Sequence, residues 1–110
     1  RDWSSDVCSS DLQALGIAGR DGHPVFVDLD VDVCDRAVTP GCPASAPGGI
    51  SADELRQFAR LLARDPRVRG MDITEVDATA DAADGRTVRL AALLVLEIAT
   101  GLAERGRRMR

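Results

Sequence analysis

Apolar and acidic residues alternate with a period of two along PVFVDLDVDV, residues 24–33, which predicts a β-strand with Asp28, Asp30 and Asp32 on one face. Downstream, Leu55, Phe58, Ala59 and Leu62 recur at i, i+3, i+4 and i+7, the spacing of an amphipathic helix over residues 52–64. Ser51 with Glu54 three residues later forms a capping box at its start, and Asp65-Pro66 ends it. VRGMDITEV, from Val68 to Val76, reads as a second strand. After an Ala/Asp-rich loop, residues 87 to about 104 are expected to form a long helix. Its run LAALLVLEIATGL is apolar nearly all round, so it should be mostly buried. Strand, helix, strand, helix is a βαβα unit, which places the chain in the α/β class with parallel strands and a right-handed crossover. The segment TPGCPASAPGGI, Thr39 to Ile50, is long and rich in Pro and Gly, and is expected to be functional rather than a simple connector. In a parallel sheet chemistry gathers at the carboxyl edge, where Asp30, Asp32 and Glu75 all fall.

Composition narrows the classes of partner. The chain is 45% hydrophobic and 29% charged, typical of a soluble globular sequence. Its aromatic residues are Trp3, Phe26 and Phe58, so a core must rest on Leu, Val, Ile and Ala. A net charge of −4 argues against nucleic acid and anionic membrane as partners, and the basic tail Arg105 to Arg110 reads as a solvated end. No uninterrupted apolar run of about 18 residues is present, nor a basic-then-apolar leader, so a cytoplasmic protein is expected. Cys8, Cys34 and Cys42 lack CxxC spacing and are odd in number, so free thiols are expected rather than a disulfide framework or zinc site.

Residues 2–12, DWSSDVCSSDL, differ from the rest in being polar and Ser-rich without helical or strand periodicity. Val7 to Leu12 matches the translation of a common sequencing-library adapter, VCSSDL, so residues 1–12 are set apart as foreign and expected to pack against nothing. The domain proper is then residues 13–110, the end of a longer protein.

Side chains at i and i+2 on a strand lie roughly 6.6 Å apart, so the aspartate face concentrates negative charge where a parallel sheet normally carries apolar residues. Such carboxylates take up protons, coordinate a hard cation such as Mg, Ca or Mn, or lie exposed at a strand end. His23 sits in a turn before the strand, far from the aspartates. Cys34 and Cys42 have no neighbouring His in sequence to activate a thiolate, and read as packing residues. Arg86 and Arg89 open the last helix as solvated or ion-paired groups.

Read as a whole, DLDVDVCDRAVTPGCPASAPGG is similar to the signature of the ureohydrolases, the family of arginases, agmatinases and formimidoylglutamases, in which D-x-D-x-x-D leads into T/A-P-G and P-G-G. MDITEVDA resembles that family's D-x-x-E-V-N-P segment, with Asp77-Ala78 in place of Asn-Pro. The resemblance extends over nearly all of residues 13–105 and is greatest to the formimidoylglutamase branch. It implies the C-terminal part of a three-layer αβα sandwich, the arginase-like fold. It also implies two Mn(2+) ions per active site in the full-length enzyme, with Asp30 and Asp32 as metal ligands and Glu75 binding the amidinium end of a small amidine or guanidine substrate. Asp35 takes the third acidic position and Asp28 a place often held by Ser. The family's upstream His-containing metal motifs do not occur in this chain, so the chain alone is expected to be inactive. The full-length protein is expected to be a homo-oligomer that hydrolyses a C–N bond of N-formimidoyl-L-glutamate. The alternatives are a guanidino substrate, or a non-catalytic interaction fragment whose acids form a solvated edge.

Overall fold

The computed structural model describes residues 7–108 as α1 (Val7–Ala18), β1 (Val25–Asp30), α2 (Ala52–Arg64), β2 (Val68–Thr74) and α3 (Arg86–Arg108), with short 3₁₀ turns between them. β1 and β2 pair in parallel, with Asp28 opposite Asp72, Leu29 opposite Ile73 and Asp30 opposite Thr74. The chain is thus α/β, a parallel strand pair with helices packed on it.

α2 begins where the sequence indicates. Ser51 Oγ accepts from the Glu54 N–H at 3.1 Å, and the Glu54 carboxylate accepts in return from the Ser51 N–H. Its buried residues Leu55, Ala59, Leu62 and Ala63 form one stripe. Most of that stripe joins Val25 and Leu29 of β1, Val68 of β2, Leu90 and Leu94 of α3, and Leu15 of α1 in a single core. Phe26, on the opposite face of β1, is 65% exposed and lies over Gly70.

β1 ends three residues earlier than expected. Asp30 Oδ1 accepts from the Asp32 N–H at 2.9 Å, and this local bond turns Val31–Val33 into a 3₁₀ turn. A side chain that satisfies the backbone two residues on competes with the sheet ladder, so Asp32 leaves the strand and the period-two reading fails beyond Asp30. β2 stops at Thr74 rather than Val76, because Glu75 has φ 70°, in the left-handed region no strand residue occupies.

Two further expectations need correction. Val7 to Leu12 are helical, where no regular element was expected; Ser10 and Leu12, the residues of this stretch whose side chains are described, are exposed. A helix packed at Leu15 extends upstream at small cost, since nucleation is the expensive step. Residues 1–6, expected to pack against nothing, lie outside the described residues. α3 is not buried all round. Thr87, Leu90, Leu94 and Gly101 are buried, whereas Val88, Val95, Leu96 and Leu102 form an exposed apolar stripe.

α3 crosses α2 at Gly101, where an added Cβ would lie 2.6 Å from the Arg60 carbonyl oxygen and 2.8 Å from Ala63 Cβ. The crossing is bounded by Arg60 and Arg64 pairing with Glu104, and the Arg105 guanidinium donates to the carbonyls of Ala63 and Val68. Gly101→Ala should therefore force the helices apart and cost about 1–3 kcal/mol. Gly106→Ala, in the same helix with nothing within 4 Å, should be neutral or slightly stabilising. Urea denaturation of the two variants checks this, and equal effects would show that the crossing is not tight.

Candidate active site

Asp30 closes β1 and pairs with Thr74, which closes β2 immediately before Glu75. Asp30, Asp32 and Glu75 therefore lie at one carboxyl edge, each just inside or just past a strand end. Asp30 and Asp32 are joined through the Asp30 carboxylate and the Asp32 N–H. Partial burial pushes the Asp32 carboxyl above its usual range, with the neighbouring charge of Asp30 and a hydrogen bond to it adding to the effect. Two carboxylates crowded in this way suit a hard divalent cation, which would relieve their repulsion. Among the described residues no group of three or more His, Cys, Asp or Glu could hold a metal, so the pair fits as part of a ligand set and not as a whole one.

The loop from Thr39 to Ile50 holds this turn from behind. The buried Thr39 hydroxyl donates to the Val31 carbonyl at 3.1 Å. Ile50 exchanges backbone bonds with Val33 and Asp35, making a short parallel bridge at Cys34. Gly49 sits so close that a Cβ would come within 2.4 Å of the Cys34 carbonyl carbon, which is why P-G-G precedes the helix. Gly41 N–H donates to the buried Thr87 hydroxyl at 2.9 Å, and its carbonyl accepts from Asp77 N–H at 2.7 Å. The T-P-G turn thus joins β1, the Glu75 segment and the start of α3.

Asp35, the third acid of the motif, is tied into this loop. Its carboxylate accepts from the N–H groups of Gly48 at 2.7 Å and Ala37 at 2.9 Å. Asp77 likewise accepts from the Thr79 hydroxyl and N–H, the role of a turn-capping acid.

Other residues go unmarked by the sequence patterns. Asp72 faces Asp28 across the strand pair. Its carboxyl is pushed above the ordinary range, first by a hydrogen bond to Asp28, then by burial and the charge of Asp28, and its Oδ1 is buried without a partner. Thr74 Oγ1 donates to Asp28 Oδ1 at 2.9 Å. The signal for both was the alternation of Asp72 and Thr74 in MDIT, but the register that sets them against Asp28 is a cross-strand property. Asp81 accepts from the N–H groups of Thr87 and Val88, at the first turn of α3. Its six- and seven-residue separation from these donors hides it from capping rules that look two or three residues on.

The remaining candidates separate cleanly. His23 precedes β1, at the end opposite Asp30. Burial pushes the Cys34 thiol up to about 11, helped by Cys42 and Glu54, so it is neutral at physiological pH and serves as packing. Arg86 pairs with Asp84 at 3.0 Å and donates to the Ala37 carbonyl. Arg89 borders a surface groove of about 500 Å³ with Val38, Asp53 and Arg56, whose lining includes neither Asp30 nor Asp32.

With this geometry in hand, comparison with known proteins identifies the class. A sequence profile described as the arginase family matches residues 7–101, and the chain belongs to that family. It is 42% identical over 78 residues to formimidoylglutamase of Bacillus subtilis (strain 168), covering 71% of this chain and 24% of that protein. The crystal structure of formimidoylglutamase from B. subtilis superposes with a TM-score of 0.81 at 34% identity, over 91% of this chain and 31% of the other. Trypanosoma cruzi formiminoglutamase (oxidized) with Mn2+ superposes with a TM-score of 0.77 at 25% identity, over 93% of this chain and 34% of the other. The chain therefore spans about a quarter to a third of the length of these relatives.

Backbone N–H groups of Ala37 and Gly48 hold the Asp35 carboxyl below its usual range, against a smaller opposing effect of burial. A depressed folded value contributes stability that is fully present above the unfolded value of about 3.9 and is lost as pH falls through the lower folded one. The gap in denaturation midpoint between the parent protein and Asp35→Ala should thus be constant above about pH 5 and shrink steadily below about pH 4. A gap independent of pH would show that the charge of Asp35 does not hold the loop.

Proposed function

We propose that this chain is the portion of a manganese-dependent ureohydrolase that carries two of its metal ligands and its cation-binding acid, and that the enzyme cleaves N-formimidoyl-L-glutamate to formamide and L-glutamate. The observation that carries the reading is that Asp30, Asp32 and Glu75 share the carboxyl edge of a paired parallel sheet. In this reading Asp30 and Asp32 hold the metal through hard oxygen donors. Bound manganese supplies Lewis acidity at neutral pH. Glu75 pairs its carboxylate with the substrate amidinium and orients the reacting carbon toward the aspartates. The Thr39–Ile50 loop keeps the Asp32 turn from relaxing. A guanidino substrate is the second reading, and the substrate's far end distinguishes the two. A cytoplasmic, homo-oligomeric enzyme belongs to the same proposal.

Formamide release by the full-length protein, with and without manganese, tests the reading. The full-length enzyme should turn over only with manganese, and the isolated chain should be inactive because two carboxylates alone hold divalent ions weakly. Glu75→Ala should lower the rate roughly 30-fold or more, since it leaves the substrate cation unpaired in a closed site. Release of urea from agmatine or arginine in place of formamide would favour the guanidino reading. Metal-independent turnover, or an unaffected Glu75→Ala enzyme, would contradict the mechanism.

A further inference from the structure

Glu75 is held in a backbone conformation that it would not adopt unaided. Its φ of 70° is disfavoured for a residue with a Cβ, yet residues 71–80 contain no glycine to absorb the turn. Such a conformation persists where the surroundings over-determine it. Two anchors flank the residue. On one side Asp77 N–H donates to the Gly41 carbonyl at 2.7 Å, tying the segment to the T-P-G turn. On the other side Thr74 Oγ1 donates across the sheet to Asp28 Oδ1 at 2.9 Å. Asp28 lies two residues before Asp30 on the same strand face, and Thr74 is the residue paired with Asp30.

We infer that Thr74 is a positioning residue for Glu75, its hydroxyl bonded to Asp28 so that the cation-binding carboxylate is held in register with the strand that carries Asp30. This rests on the role of Glu75 proposed above and adds the device that sets its place. A parallel ladder alone would leave the last residue of β2 free to fray, as strand ends do. The side-chain bond fastens that residue at a second point, beside its ladder pairing with Asp30. Asp28 is thereby accounted for as the acceptor of the bond rather than as a further metal ligand.

The test uses the full-length enzyme with Thr74→Val, which keeps the β-branched shape and loses the hydroxyl, and Thr74→Ser, which keeps the hydroxyl and loses the methyl. Thr74→Val should raise KM for N-formimidoyl-L-glutamate about 3- to 10-fold, the loss of one hydrogen bond, with a smaller change in kcat. Manganese content and melting temperature should stay at the parent values. Thr74→Ser should return KM to near the parent value. In the Asp28→Ala background, Thr74→Val should have no further effect on KM, because its acceptor is already gone. An unchanged KM in Thr74→Val, equal impairment of Val and Ser variants, or a loss that tracks manganese content or melting temperature would overturn the inference. A parent enzyme inactive toward N-formimidoyl-L-glutamate, agmatine and arginine would overturn the underlying role of Glu75 and this inference with it.

Discussion

The parallel pairing of β1 with β2 is the constraint on which the carboxyl edge depends. Because the strands run the same way and Asp30 is level with Thr74, both strands leave the sheet at one height. A crossover of the βαβ kind is needed to bring the second strand back in that direction, and α2 provides it, fixed by its capping box at one end and by Gly101 of α3 along its length. Were the pairing to slip by one residue, every side chain of β2 would change face, and Asp72 and Thr74 would exchange surroundings with Met71 and Ile73.

That edge concentrates negative charge, and the structure deals with it in three ways. Some acids stay ionised, their charge stabilised by backbone donors: Asp35 by Gly48 and Ala37, Asp81 by Thr87 and Val88. Others share hydrogen bonds, as Asp28, Thr74 and Asp72 do, with Asp72 driven toward its protonated form. The pair Asp30 and Asp32 has neither remedy in full, since the bond from the Asp32 N–H to the Asp30 carboxylate leaves the Asp32 carboxylate facing the charge of Asp30. A bound cation is the remedy that their chemistry admits, which is why the same pair stands at the centre of the proposed function.

Much of this could be read from the sequence, and the parts that could not share a physical cause. The bounds of α2 followed from Ser51, Glu54 and the apolar spacing, because capping and helical periodicity are local. The T-P-G and P-G-G motifs located the loop, and the structure adds a reason for them: Gly49 approaches the Cys34 backbone too closely for a Cβ, and a Cβ at Gly41 would fit only tightly, 3.0 Å from Asp77 and Asp81. The end of β1 is not legible in the sequence because an Asp side chain bonding its own backbone leaves no mark on period-two alternation. The pairing of Asp28 with Asp72 and Thr74 was invisible for a different reason, since strand register is set between segments and not within one. The exposed stripe of α3, Val88, Val95, Leu96 and Leu102, looked like core because hydrophobicity does not say which neighbour will cover it.

If, as proposed, Asp30 and Asp32 hold manganese while Glu75 faces the substrate cation, one crystal should contain both contacts. Anomalous diffraction at the manganese edge from crystals of the full-length protein, grown with an amidine analogue, tests it most directly. Manganese peaks are expected in contact with the carboxylates of Asp30 and Asp32, and the amidinium group against Glu75. Manganese bound without either aspartate, or an amidinium group held away from Glu75, would contradict it.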